Sequence, residues 1–165
     1  MKKVSILLMS LLMLVSVAYS QVEKGDSEVQ LKGSIVAMES ITMMFVQGTY
    51  GYFYSPNFEA GLGPTITYFD FSGISETTIG SSIFARYNFV SNTKQVPYLS
   101  GQLYQSDFSP VEGTSFTDYT FIQVGGGIKF FVNEYICYDV SANYGFGLGD
   151  IGGALLISGG LSAFF

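Results

Sequence analysis

Leu155-Leu156-Ile157-Ser158-Gly159-Gly160-Leu161-Ser162-Ala163-Phe164-Phe165 closes the 165-residue chain, and its parity decides the fold. One alternate set is Leu155, Ile157, Gly159, Leu161, Ala163 and Phe165; the other is Leu156, Ser158, Gly160, Ser162 and Phe164. A period of two places these sets on opposite faces of a β-strand, one apolar and one small and mostly polar. Such a strand needs an apolar medium on one side and a narrow, partly polar interior on the other.

The same period recurs upstream. Seven further segments predict strands at 29–38, 41–54, 58–71, 77–89, 96–106, 118–132 and 135–146, with 155–165 as the eighth. Ser55-Pro56-Asn57, Ser91-Asn92-Thr93-Lys94-Gln95 and Asn133-Glu134 supply tight polar turns. The intervening connections at 72–76, 107–117 and 147–154 read as longer, whereas Glu39-Ser40 is short. Short turns at one end and longer loops at the other suit an up-and-down barrel with both termini on the short-turn side.

Which parity is apolar separates a membrane barrel from a soluble one. Ile136, Tyr138, Val140, Ala142, Tyr144 and Phe146 oppose Tyr135, Cys137, Asp139, Ser141, Asn143 and Gly145. Ile122, Val124, Gly126, Ile128, Phe130 and Val132 oppose Phe121, Gln123, Gly125, Gly127, Lys129 and Phe131. The small polar sets fit the inside of a narrow barrel, and the apolar sets with aromatic ends fit a lipid-facing band. The expected fold is therefore all-β, an eight-stranded antiparallel transmembrane β-barrel in up-and-down meander order.

Composition agrees. Charged residues make up 12% of the chain and aromatic residues 16%, too few charges for an ordinary water-facing surface. Lys2-Lys3, the apolar run 4–17 and Ala18-Tyr19-Ser20 read as a secretory signal over 1–20, cut before Gln21, leaving 21–165 as the barrel domain. The net charge is −6 with two of the seven cations in that leader, so nucleic acid is not an expected partner. A single cysteine, Cys137, excludes an internal disulfide and reads as a small interior residue.

Val124-Gly125-Gly126-Gly127-Ile128-Lys129-Phe130-Phe131-Val132-Asn133-Glu134, Pro97-Tyr98-Leu99-Ser100-Gly101-Gln102-Leu103 and the strand ending on Phe165 resemble the OmpA/OmpX-like small outer-membrane β-barrels. The resemblance implies a place in the outer membrane of a Gram-negative cell, among lipid and lipopolysaccharide. It implies assembly by the barrel assembly machinery, with Leu161 and Phe165 as the outward residues of the recognised last strand. The resemblance covers the barrel alone, so the peptidoglycan-binding function of OmpA-type proteins is not among the expectations.

Chemistry is sparse. The chain has no histidine, the base that small-barrel hydrolases and acyltransferases mostly use, so no enzyme and no cofactor is expected. Gly147-Leu148-Gly149-Asp150-Ile151-Gly152 matches a dinucleotide pattern, but a strand follows it rather than a helix. Two groups stand out. Lys32, Glu59, Arg86, Lys129 and Asp139 fall on the interior parity, where Glu59 with Arg86 and Lys129 with Asp139 predict a two-plus-two layer that plugs the lumen. Glu39, Asp70, Glu76, Asp107, Glu112, Asp118 and Asp150 fall in or beside the outer loops and read first as plain solvated loops; a site for divalent cations bridging to lipopolysaccharide phosphates, or for a basic partner, is the alternative. The expected role is structural or one of cell-surface interaction; a narrow pore or conduit for ions or small apolar molecules is the alternative.

Overall fold

The computed structural model describes residues 22–38, 41–71, 74–89, 94–105, 120–148 and 153–165. Eight strands run in chain order: β1 (Ser27–Met38), β2 (Ile41–Ser55), β3 (Phe58–Phe71), β4 (Ile74–Asn88), β5 (Gln95–Gln105), β6 (Thr120–Phe131), β7 (Ile136–Gly147) and β8 (Ala154–Phe164). Each pairs antiparallel with its sequence neighbour, and β1 pairs with β8, closing the barrel. Closure leaves no unpaired sheet edge along the shared span, the condition for a sheet to cross hydrocarbon.

The period of two survives in three dimensions. On β7 burial alternates residue by residue: Cys137, Asp139 and Ser141 are buried while Ile136, Tyr138, Val140 and Tyr144 are exposed. On β8, Phe164 is 5% exposed and Phe165 is 67% exposed, so the two terminal aromatics take opposite faces. Leu31, Ile35, Leu62, Ile79, Ile83, Leu99, Val140, Leu155 and Ile157 form part of an exposed apolar belt that only a lipid phase stabilises. Tyr52, Tyr54, Phe58, Tyr87, Tyr135 and Tyr138 collect on the outer surface at the end where β1 begins and β8 finishes, hereafter the terminal end. Tyr144 and Phe146 lie toward the far end, giving the aromatic girdles that a lipid–water boundary favours. The protein is a transmembrane barrel.

Two sequence expectations change. Strand β4 begins at Ile74, so 72–73 alone separate it from β3, and Glu76 lies on a strand rather than in a loop. The Thr, Ser and Ile of this stretch support strand as well as loop, and pairing with β3 settles it: Phe69 faces Glu76 and Asp70 faces Ser75. The far-end connections are therefore two short, at 39–40 and 72–73, and two long, at 106–119 and 148–153. The expected leader at 1–20 lies outside the described residues, as do Glu39, Asp107, Glu112, Asp118 and Asp150.

Candidate functional site: a charged septum in the lumen

The lumen is built in layers. At the terminal end, inward side chains at the ends of five strands or beside them form an apolar floor of Phe53, Val96, Phe131, Cys137 and Phe164, joined by Val22 from the segment before β1. Phe131 and Phe164 have ring centroids 5.0 Å apart, and Phe53 and Phe164 6.2 Å apart.

Six ionisable side chains lie above it. Lys129 Nζ stands 2.5 Å from Glu28 Oε2 and 3.1 Å from Glu59 Oε2. Arg86 Nη1 stands 3.4 Å from Glu28 Oε2 and 3.3 Å from Glu59 Oε1, and its Nη2 donates to Gln30 Oε1 at 2.6 Å. Glu28, Glu59, Arg86 and Lys129 are all buried, forming a closed square of two acids and two bases. A separate pair sits beside it, with Lys32 Nζ 2.9 Å from Asp139 Oδ1. Three anions and three cations balance, which burial in a low-dielectric interior requires.

This arrangement keeps the expected pair of Glu59 with Arg86 and corrects the pair of Lys129 with Asp139. Lys129 and Asp139 are indeed opposite each other on β6 and β7. Lys129 nevertheless carries its ammonium to Glu28 on β1 and Glu59 on β3, while Asp139 takes Lys32 of β1. Backbone register fixes neighbours along the wall, but in a narrow lumen a long lysine reaches the opposite wall. Glu28 was outside the expected set because β1 begins two residues earlier than position 29; with the earlier start it shares the inward parity of Gln30 and Lys32.

Tyr98, also absent from that set, occupies the middle of the septum. Its ring is within 5.4 Å of Arg86 Cζ, 5.7 Å of Lys32 Nζ and 5.8 Å of Lys129 Nζ, and Lys32 donates to its hydroxyl at 3.2 Å. Two glycines make the room. A side chain at Gly51 would collide with the Glu59 carboxylate, and one at Gly127 would meet the Tyr98 hydroxyl at 2.6 Å. Inward glycines in the middle of strands thus have a steric reason, and the Gly125-Gly126-Gly127 run in the sequence was its visible trace.

Beyond the septum the lumen turns polar. A cavity of about 40 Å³ is lined by Lys32, Ser34, Gln47, Thr65, Gln102 and Gln123 among others, room for a few water molecules. Of the described acidic residues toward the far end, Asp70 lies on the outward parity and accepts from Tyr68 Oη at 3.4 Å, whereas Glu76 lies on the inward parity of β4. The two do not converge.

The fold so defined is that of the small eight-stranded membrane barrels. The N-terminal β-barrel domain of Pseudomonas aeruginosa OprF is similar, with TM-score 0.61 and 18% identity over 87% of this chain and 100% of that one. The Yersinia pestis outer membrane protein Ail, solved in a phospholipid nanodisc, gives 0.50 and 17% over 86% of this chain and 99% of that one. A de novo designed transmembrane β-barrel gives 0.52 and 16% over 87% and 98%. That a designed barrel matches alongside natural ones shows how far this likeness concerns architecture and leaves function to the site. No protein-family model and no curated relative matches the sequence.

Proposed function

We propose that this protein is a closed, non-catalytic β-barrel of the Gram-negative outer membrane, serving as a structural element or a platform for surface interaction. The carrying observation is the balanced six-charge septum lying on an apolar floor. Open diffusion channels are built from about 16 strands, and eight leave an interior that side chains fill. The competing reading, a narrow pore or conduit, requires all six charges to part together. The lack of histidine supports the absence of catalysis, as does the commitment of the lumen acids to ion pairs.

A surface role draws support from the far end of β4. Among the described residues, register between β4 and β5 runs to Ser81 and Gln105, whereas β4 pairs with β3 as far as Ile74. Between β1 and β8 it stops at Ser34 and Ser158, whereas β1 pairs with β2 as far as Met38. On β4, Ser75, Glu76 and Thr77 are exposed beyond its described pairing with β5. In this reading the terminal end faces the periplasm, the belt contacts lipid and lipopolysaccharide, and the barrel assembly machinery engages Leu161 and Phe165.

Cell fractionation tests location and assembly together. The wild-type chain is expected with outer membranes and to migrate differently on a denaturing gel before and after boiling. Phe165→Ala, which removes an outward and exposed aromatic, is expected to lower the inserted fraction several-fold and leave chain in the periplasm. Recovery of the wild-type chain as a soluble protein with heat-independent migration would refute the reading.

A further inference from the structure

The floor of the lumen is not made by strands alone. Val22, five residues before β1, is 5% exposed and shares the apolar cluster of Phe53, Val96, Phe131, Cys137 and Phe164. It reaches that position through a hook. Gly25 has φ +102°, a conformation that L side chains rarely adopt, and no atom lies within 4 Å of where its Cβ would be. Glu23 N–H donates to Asp26 Oδ2 at 2.7 Å and Asp26 N–H to Glu23 O at 3.3 Å, tightening the turn. Gly25 N–H donates to Phe53 O at 2.9 Å and Phe53 N–H to Asp26 O at 3.0 Å, tying the turn to the end of β2.

These contacts have a direction. Exposed Glu23 and Lys24 stay in water while the apolar side chain before them is buried at the mouth of the barrel. Immediately above, Lys129 Nζ lies 5.2 Å from the Phe53 ring centroid and 5.4 Å from that of Phe164. The apolar floor is thus the dry side of the ion square, and Val22 completes it.

From this we infer that residues 22–26 form a cork, a separable peptide lid that seals the terminal mouth of the barrel and keeps water from the apolar floor and the ion square above it. The inference deepens the closed-barrel reading and rests on it only for the side of the membrane the cork faces. The strands stay in place when the cork leaves, because none of residues 22–26 belongs to one.

Cys137 reports on the seal. It is the sole cysteine of the chain, fully buried and part of the same cluster. The test is the rate at which a small charged methanethiosulfonate reagent labels Cys137 in the folded, membrane-inserted protein, read by mass, with heat-shifted gel migration confirming folding. Wild type is expected to be protected. Val22→Asp sets a charge against the cluster, and Gly25→Val disfavours the hook's backbone without a steric clash; each is expected to speed labelling by about tenfold or more, the scale of a local opening equilibrium. Both changes lie outside the strands, and Gly25→Val keeps the test decisive if Val22→Asp assembles poorly. Wild-type protection retained in the folded variants would overturn the cork, as would wild-type labelling at the variants' rate. Rapid labelling of a wild-type barrel that passes no current would remove the cork and leave the closed barrel standing; a wild-type current would remove the closed barrel itself.

Discussion

Arg86→Ala is expected to be the most damaging single change in the lumen, costing about 3–5 kcal/mol because it leaves buried acid without its counter-charge. In the folded protein Arg86 and Lys129 serve Glu28 and Glu59 jointly. Without Arg86 two carboxylates share one ammonium, and Gln30 Oε1 loses its guanidinium donor. Removing Glu59 as well restores one acid to one base, so Glu59→Ala with Arg86→Ala is expected to be more stable than Arg86→Ala alone. The measurement is a double-mutant cycle on reversible unfolding in detergent or lipid. A second cycle, Lys129→Ala with Asp139→Ala, is expected to show a much smaller coupling, since those two side chains pair with different partners. Additivity in the first cycle, or dominant coupling in the second, would contradict the observed pairing.

Gly127→Val is expected to have the next largest effect, about 3 kcal/mol, from overpacking that the wall cannot relax. The added Cβ would stand 2.5 Å from Val140 O and 2.6 Å from the Tyr98 hydroxyl, one fixed by the sheet and the other by the three cations around it. Gly101→Val is the matched control: a strand glycine on the outer face, with no atom within 4 Å of its Cβ position, and expected to be near neutral. Urea midpoints of the inserted barrels, compared pairwise, check the difference. Equal midpoints would mean that Tyr98 is not held in the space the glycine provides.

Much of this molecule was legible in its sequence because a membrane barrel writes one rule along every strand. The alternation around Cys137, Asp139 and Ser141 told which residues face inward, and the seventh strand's burial follows it. Boundaries were less legible, since Ser27 and Glu28 are polar and look like leader to the strand they start. That small displacement hid Glu28, one corner of the ion square. Partner choice was legible only in part: Glu59 does pair with Arg86, its neighbour across the wall, but Lys129 does not follow its neighbour. Register pairs Lys129 with Asp139, but which carboxylate receives a four-carbon ammonium depends on the width of the closed lumen and on Tyr98 standing in it. The hook was equally hidden: Val22 next to Glu23-Lys24-Gly25-Asp26 reads as a solvated linker, and only the closed barrel supplies the apolar socket that buries it.

A shut lumen passes no ions, and single-channel recording on the refolded protein in a planar bilayer reads this out. A septum of three balanced ion-pair charges of each sign above an apolar floor predicts a silent bilayer under applied voltage. A steady ohmic conductance from the unmodified protein would contradict it.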